Sequence, residues 1–137
     1  MRKLLELLTD VADQVNLTIG ETERMEHPLV KLYRTSLNEE KAALERLLSK
    51  LKCSEPSIEE IKNDLSIVYL NDEIIEPTFR AWLRAVKWTD HKDSEEAKKL
   101  ENRFPGIKSL LKDTGAELKE IYGAAAVKFV VPAFYQA

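Results

Sequence analysis

Apolar residues recur along the chain at spacings of three and four, the period of one helix face, from the first residues nearly to the last. Leu4, Leu5, Leu8, Val11, Ala12 and Val15 form such a stripe and predict a helix over residues 2–17. Thr18-Ile19-Gly20 offers its stop, with Gly20 able to take a left-handed cap. His27-Pro28 punctuates the next stretch, because proline suits a first helical turn and pushes the residue before it off helical angles. Two readings fit: an acidic turn over residues 21–26 before a new helix at Pro28, or one long helix kinked there. Leu29, Leu32, Tyr33, Leu37, Leu44, Leu47, Leu48 and Leu51 continue the stripe over residues 28–52. Leu32-Tyr33-Arg34 reads as two core contacts and one charge. Ser36 with Glu39 matches a capping box, so a break there is as consistent as an unbroken helix. Glu39, Glu40, Lys41, Glu45, Arg46 and Lys50 read as a solvated face.

Cys53-Ser54-Glu55-Pro56 is the clearest loop. Ser57 with Glu60 is the best capping box in the chain, and Ile58, Ile61, Leu65 and Val68 follow it at helical spacing to about Leu70. Asn71-Asp72 is a natural end. A further helix is predicted from Pro77 to about Trp88, with Phe79, Trp82, Leu83 and Val86 on one face. After a polar connector over residues 89–93, Asp93 or Ser94 caps a short helix with Ala97, Leu100 and Phe104 inward, ended by Pro105-Gly106. Ile107, Leu110 and Leu111 make one short turn. The last helix starts near Ala116, buries Leu118, Ile121, Tyr122, Ala125 and Phe129, and closes at Pro132. Val127 to Val131 is the one β-branched run, and the alanines before it favour helix over strand. The expected architecture is a single all-α domain over residues 1–137, an irregular bundle of about five to seven helices framed by 2–17, 28–52 and 116–131. A chain that continued beyond Ala137 would make it an N-terminal module.

At 137 residues, 44% apolar and 33% charged, the chain is long enough to bury a core without staples. Cys53 is the single cysteine, which excludes an internal disulfide and a cysteine-based zinc site and fits a reducing, cytoplasmic setting. Glu6, Asp10 and Asp13 interrupt the leucines after Met1-Arg2-Lys3, so that opening is an amphipathic helix rather than a signal. The apolar stretch from Gly123 to Tyr135 holds Lys128 and Pro132 and falls short of the ~20 residues that cross a bilayer, so no membrane role is expected.

Candidate chemistry is sparse. His27 and His91 are the two histidines and lie far apart, and the four glycines are isolated. No catalytic residue, metal site or cofactor is predicted, and the chain reads as a non-enzyme. The informative contrast is electrostatic. Glu55, Glu59, Glu60, Asp64, Asp72, Glu73 and Glu76 face one base, Lys62, over residues 55–76, and the next helix reverses sign with Arg80, Arg84 and Lys87 on one stripe. Either the two helices bridge weakly across a hairpin, or the basic stripe is a docking surface with Trp88 as exposed anchor. A formal charge of −3 weighs against nucleic acid, which stands as the alternative partner. The apolar end, with Phe134 and Tyr135, is either tucked into the core or used in association. The expected function is a protein–protein interaction module, an adaptor or oligomerising subunit, that binds another protein or itself through Arg80, Arg84, Lys87, Trp88, Phe134 and Tyr135.

Overall fold

The computed structural model describes residues 1–85 and 94–136. It is an all-α bundle with no strand among those residues. The elements are α1 (Arg2–Glu23), α2 (Pro28–Cys53), α3 (Ile58–Leu70), a π-helical turn (Asn71–Ile75), α4 (Glu76–Ala85), α5 (Ser94–Tyr122), the short α6 (Ala124–Val127) and a 3₁₀ turn (Ala133–Gln136). The long antiparallel-style frame comes from α1, which packs on both α2 and α5; α2 also packs on α3, and the 3₁₀ turn on α5. Leu4, Leu8, Val11 and Val15 of α1 meet Leu37, Leu44 and Leu47 of α2 and Leu100, Leu111 and Leu118 of α5 in one continuous core. No described helix is long and apolar enough to cross a membrane.

The break at Pro28 is real. α1 ends at Glu23, and a new helix starts with Pro28 in its first turn. His27 has extended backbone angles, and its Nδ1 accepts a hydrogen bond from the Leu29 N–H at 3.1 Å, which satisfies one of the donors a helix start leaves free. Gly20 is no stop: α1 runs one turn past it, and Arg34 of α2 donates to the Thr22 carbonyl and, at 3.1 Å, to the Thr22 hydroxyl, holding the end of α1. Ser36 breaks nothing, and α2 is continuous over 26 residues. The Ser57–Glu60 capping box forms as expected, with the Ser57 N–H donating to Glu60 Oε2 at 3.0 Å.

Pro105-Gly106 is the larger correction. The short helix and short turn expected between Ser94 and Leu111, together with the first part of the long helix expected over residues 116–131, are one 29-residue helix with Pro105 inside it. An internal proline costs a helix about 3 kcal/mol. The buried positions Ala97, Leu100, Phe104, Ile107, Leu111, Thr114 and Leu118 nevertheless keep their spacing of three and four straight across it. Burying that stripe against α1 outweighs the lost hydrogen bond. The helix stops at Gly123, whose φ of +87° is the left-handed conformation a glycine adopts without strain.

Pro77 has a different effect. It lacks the N–H that would bond to Glu73, and its ring crowds that carbonyl. The chain answers by widening over the five residues before α4: the Glu76 N–H bonds to the Asn71 carbonyl, five residues back. Asn71-Asp72 is therefore no helix end. α3 and α4 are joined through the π turn rather than folded into a hairpin, so the acidic and basic segments do not face each other across one.

Beyond Gly123, Val127, Val131 and Tyr135 are buried, so this segment is tucked against α5. Phe129 was expected inside; it is 89% exposed. Gly115 makes the tuck possible. It is buried in α5 directly beneath the Tyr135 carbonyl, where any side chain would collide.

Candidate functional site

Two features stand out, and they share a wall. The first is an apolar groove of about 340 Å³ between the start of α2 and the π turn with α4. Leu29, Leu32, Tyr33 and Ser36 line one side, and Ile75, Thr78, Phe79 and Trp82 the other. Each set falls at i, i+3, i+4 and i+7, so each helix presents one full seam. The floor is built from aromatics: Tyr33 stacks on Phe79 with centroids 4.1 Å apart and planes 9° from parallel, and Phe79 lies 5.7 Å from Trp82. Phe104 of α5 backs Tyr33 edge-on at 6.4 Å. Leu32, expected in the core, is 65% exposed, and Leu29 and Ile74 are exposed with it.

The second feature is a cluster of acids inside the bundle, behind Tyr33. Glu40, Asp72 and Glu76 are all buried, against the expectation that Glu40 lies on a solvated face. Asp72 Oδ2 accepts hydrogen bonds from Lys108 Nζ at 3.0 Å and from the Tyr135 hydroxyl. Glu76 Oε1 accepts from Arg80 Nε at 2.6 Å. Glu40 Oε2, Glu76 Oε2 and Asn71 Nδ2 have no hydrogen-bond partner. Burial, reinforced by Asp72, holds the Glu40 carboxyl well above the usual carboxylate range. Burial also lifts Glu76, against the opposing pull of Arg80. The Tyr33 phenol is pushed up by burial first and then by Glu40, Glu76 and Asp72, with Arg80 pulling the other way. Among the described residues no group of three or more His, Cys, Asp or Glu side chains is arranged to hold a metal ion.

The π turn creates this cluster, and the sequence carried a signal for it. In α2 the buried positions run Val30, Tyr33, Leu37, Glu40, Leu44, Leu47 and Leu51 at alternating spacings of three and four. Glu40 occupies a core register of that stripe. Ile61, Leu65, Val68, Asp72, Glu76, Phe79 and Leu83 form a second series at spacings of three and four, with two successive fours across the π turn and two acids in register. An acid at a core position of an otherwise apolar stripe is the pattern that finds this site.

The residues expected to bind a partner fall in different places. Arg80 points inward, bonded to Glu76 and with its guanidinium 5.4 Å from the Phe104 ring centre. Arg84 is exposed and pairs with Glu101 of α5 at 3.2 Å. Phe134 is half exposed, with Lys112 Nζ 4.6 Å from its ring centre. Tyr135 is 1% exposed, its ring 4.9 Å from Tyr69. Lys87, Trp88 and the connector residues 89–93 lie outside the described residues. The structure thus brings Arg80 and Tyr135 to the acid cluster and does not join them to Arg84 in one surface.

Comparison with protein-family models, with curated proteins and with solved structures finds no match.

Proposed function

We propose that this protein is a non-enzymatic interaction module that seats an amphipathic helix of a partner protein in the groove between α2 and α4. The observation that carries the reading is the pair of facing seams. Leu29, Leu32, Tyr33 and Ser36 oppose Ile75, Thr78, Phe79 and Trp82, which is the surface two helices of a bundle offer to a third. The rigid aromatic floor supports it, since packed aromatics bind at little cost in conformational entropy. A helix from a partner fits better than a second copy. Outside the groove, the other exposed large apolar side chains, Leu17, Leu70, Phe129 and Phe134, are not spaced along one helix face and make no seam. The nucleic-acid alternative gains no support, because Arg80 and Arg84 direct their charge at Glu76 and Glu101.

The test is a synthetic amphipathic peptide with leucines at i, i+3, i+4 and i+7, titrated into isotope-labelled protein beside a scrambled peptide of equal composition. Amide shifts should map to Leu29, Leu32, Ser36, Ile75, Thr78 and Phe79 with the patterned peptide alone. Leu32→Glu should weaken binding by at least the 1.5–3 kcal/mol that burying one leucine contributes, roughly tenfold or more, with the melting temperature unchanged. Shifts elsewhere, or equal shifts with both peptides, would overturn the reading. A mass in light scattering that grows with concentration, and reverts in Leu32→Glu, would give the groove to a second copy instead.

A further inference from the structure

The acid cluster has a charge count that does not balance. Three buried carboxylates, Glu40 of α2, Asp72 of the π turn and Glu76 of α4, meet two cations. Lys108 of α5 bonds to Asp72, and Arg80 of α4 bonds to Glu76. The remaining polar neighbours are uncharged: the Asn71 amide of the π turn and the phenols of Tyr33 of α2, Tyr69 of α3 and Tyr135 of the 3₁₀ turn. Of these, the Tyr69 hydroxyl is occupied, donating to the Leu111 carbonyl at 2.8 Å. Glu40 is 2% exposed, makes no ion pair among the described residues, and has one oxygen without any partner. An isolated carboxylate in such a place is far more costly than a neutral carboxyl group. The cluster is neutral when it carries one proton, and Glu40 is the acid that no cation compensates.

The position of Tyr135 decides what that proton controls. Tyr135 stands between the cluster and a surface cleft of about 290 Å³ lined by Glu73, Lys108, Phe134 and Tyr135 itself. Its hydroxyl donates to Asp72 Oδ2, the same oxygen that accepts from Lys108. Moving the Ala133–Gln136 turn would open the cluster to water, whereas moving α2 or α3 would break the main core.

We propose that the cluster stores a single proton on Glu40, and that giving it up to solvent base unfastens the Ala133–Gln136 turn from α5. Only the Glu40 O–H bond breaks. The carboxylate left behind repels Asp72 and gains hydration as Tyr135 swings away. Burial and Asp72 already favour the protonated form. The sign follows: the folded carboxyl titrates above its unfolded counterpart, so the closed turn is tightest at low pH and is lost as pH rises toward the folded value.

The experiment is backbone hydrogen exchange on the whole chain from about pH 5 to pH 9, corrected for intrinsic rates, with wild type beside Glu40→Gln. In wild type, protection over residues 127–136 should fall with rising pH, by up to about tenfold per pH unit for a one-proton step, while α1 and α2 keep theirs. In Glu40→Gln it should stay flat and high. Equal profiles in the two proteins, or loss of protection in the turn and the core together, would overturn the proposal. If the variant does not fold, the carbon shift of the Glu40 carboxyl in wild type decides: a neutral carboxyl at pH 7 is expected, and a carboxylate there refutes the stored proton.

Discussion

Replacing Gly115 with alanine sets two effects of known sign against each other. Gly115 lies in the last third of α5 with ordinary helical angles, so alanine should stabilise the helix itself by about 1 kcal/mol. The added Cβ, however, runs into the Tyr135 carbonyl oxygen and would stand 3.1 Å from the carbon of that carbonyl and 3.2 Å from Val131 Cγ1. The obstacle is backbone, which cannot rotate aside like the end of a side chain. Overpacking of this kind costs about 1–3 kcal/mol. The balance is a net loss of about 1 kcal/mol, rising to about 2 if the turn is displaced. Urea unfolding followed by helical circular dichroism measures it, provided the slope of stability against urea is unchanged. The decisive arm is a chain ending at Val131. There the clash with Tyr135 is gone, and the same substitution should change sign and stabilise by nearly the full ~1 kcal/mol of helix propensity. If alanine stabilises the complete chain as much as the shortened one, the Tyr135 backbone does not sit on Gly115, and the account of the tucked segment fails.

Two further outcomes are expected. Ser57→Ala removes half of the capping box that starts α3 and should cost about 1 kcal/mol in the same urea assay; no loss would mean that the Ser57 cap contributes nothing. All four tyrosine phenols are held above their ordinary value, with burial the largest cause in each. Unfolded phenols ionise near pH 10, so folded stability is intact below that and falls as pH climbs through it. Tyrosinate absorbance and loss of helical signal should therefore rise together in one steep alkaline step; phenols that titrate near pH 10 in a still-helical protein would contradict the buried placement of Tyr33, Tyr69 and Tyr135.

The helical content of the chain is written in its spacing, and so are the boundaries that depend on local chemistry. Pro28 starts α2 because its fixed backbone angle suits a first turn, and Ser57 starts α3 because its partner Glu60 is three residues on. Local rules fail where burial overrides them. Gly20, Ser36 and Pro105-Gly106 all resemble stops, yet the apolar stripe passes each in phase and the core holds the helix together. The candidate site was harder to read for a related reason. Counting charges by segment groups Glu40 with Lys41 and Glu45, although only Glu40 falls in the core register. The same habit groups Arg80 with Arg84, although Arg80 sits one turn from Glu76 and turns inward to meet it. The groove depends on which apolar residues go uncovered, and spacing alone marks Leu29 and Leu32 no differently from Leu37 and Leu44.

A π turn amounts to an α-helix carrying one residue more than its hydrogen bonds require. Seen this way, the segment Asn71–Ile75 works like a spacer in a gear train. Winding it as ordinary α-helix at the same length would turn everything downstream by about 100°, one residue's share of a helical turn. Thr78, Phe79 and Trp82 would rotate off the wall they share with Leu29 and Leu32, and Arg80 would lose its bearing on the interior. What keeps that wall in phase is that one residue of this stretch is left out of the helical count. The same length wound as a plain α-helix would have no groove, whereas a chain one residue shorter here would take ordinary bonding and keep the groove.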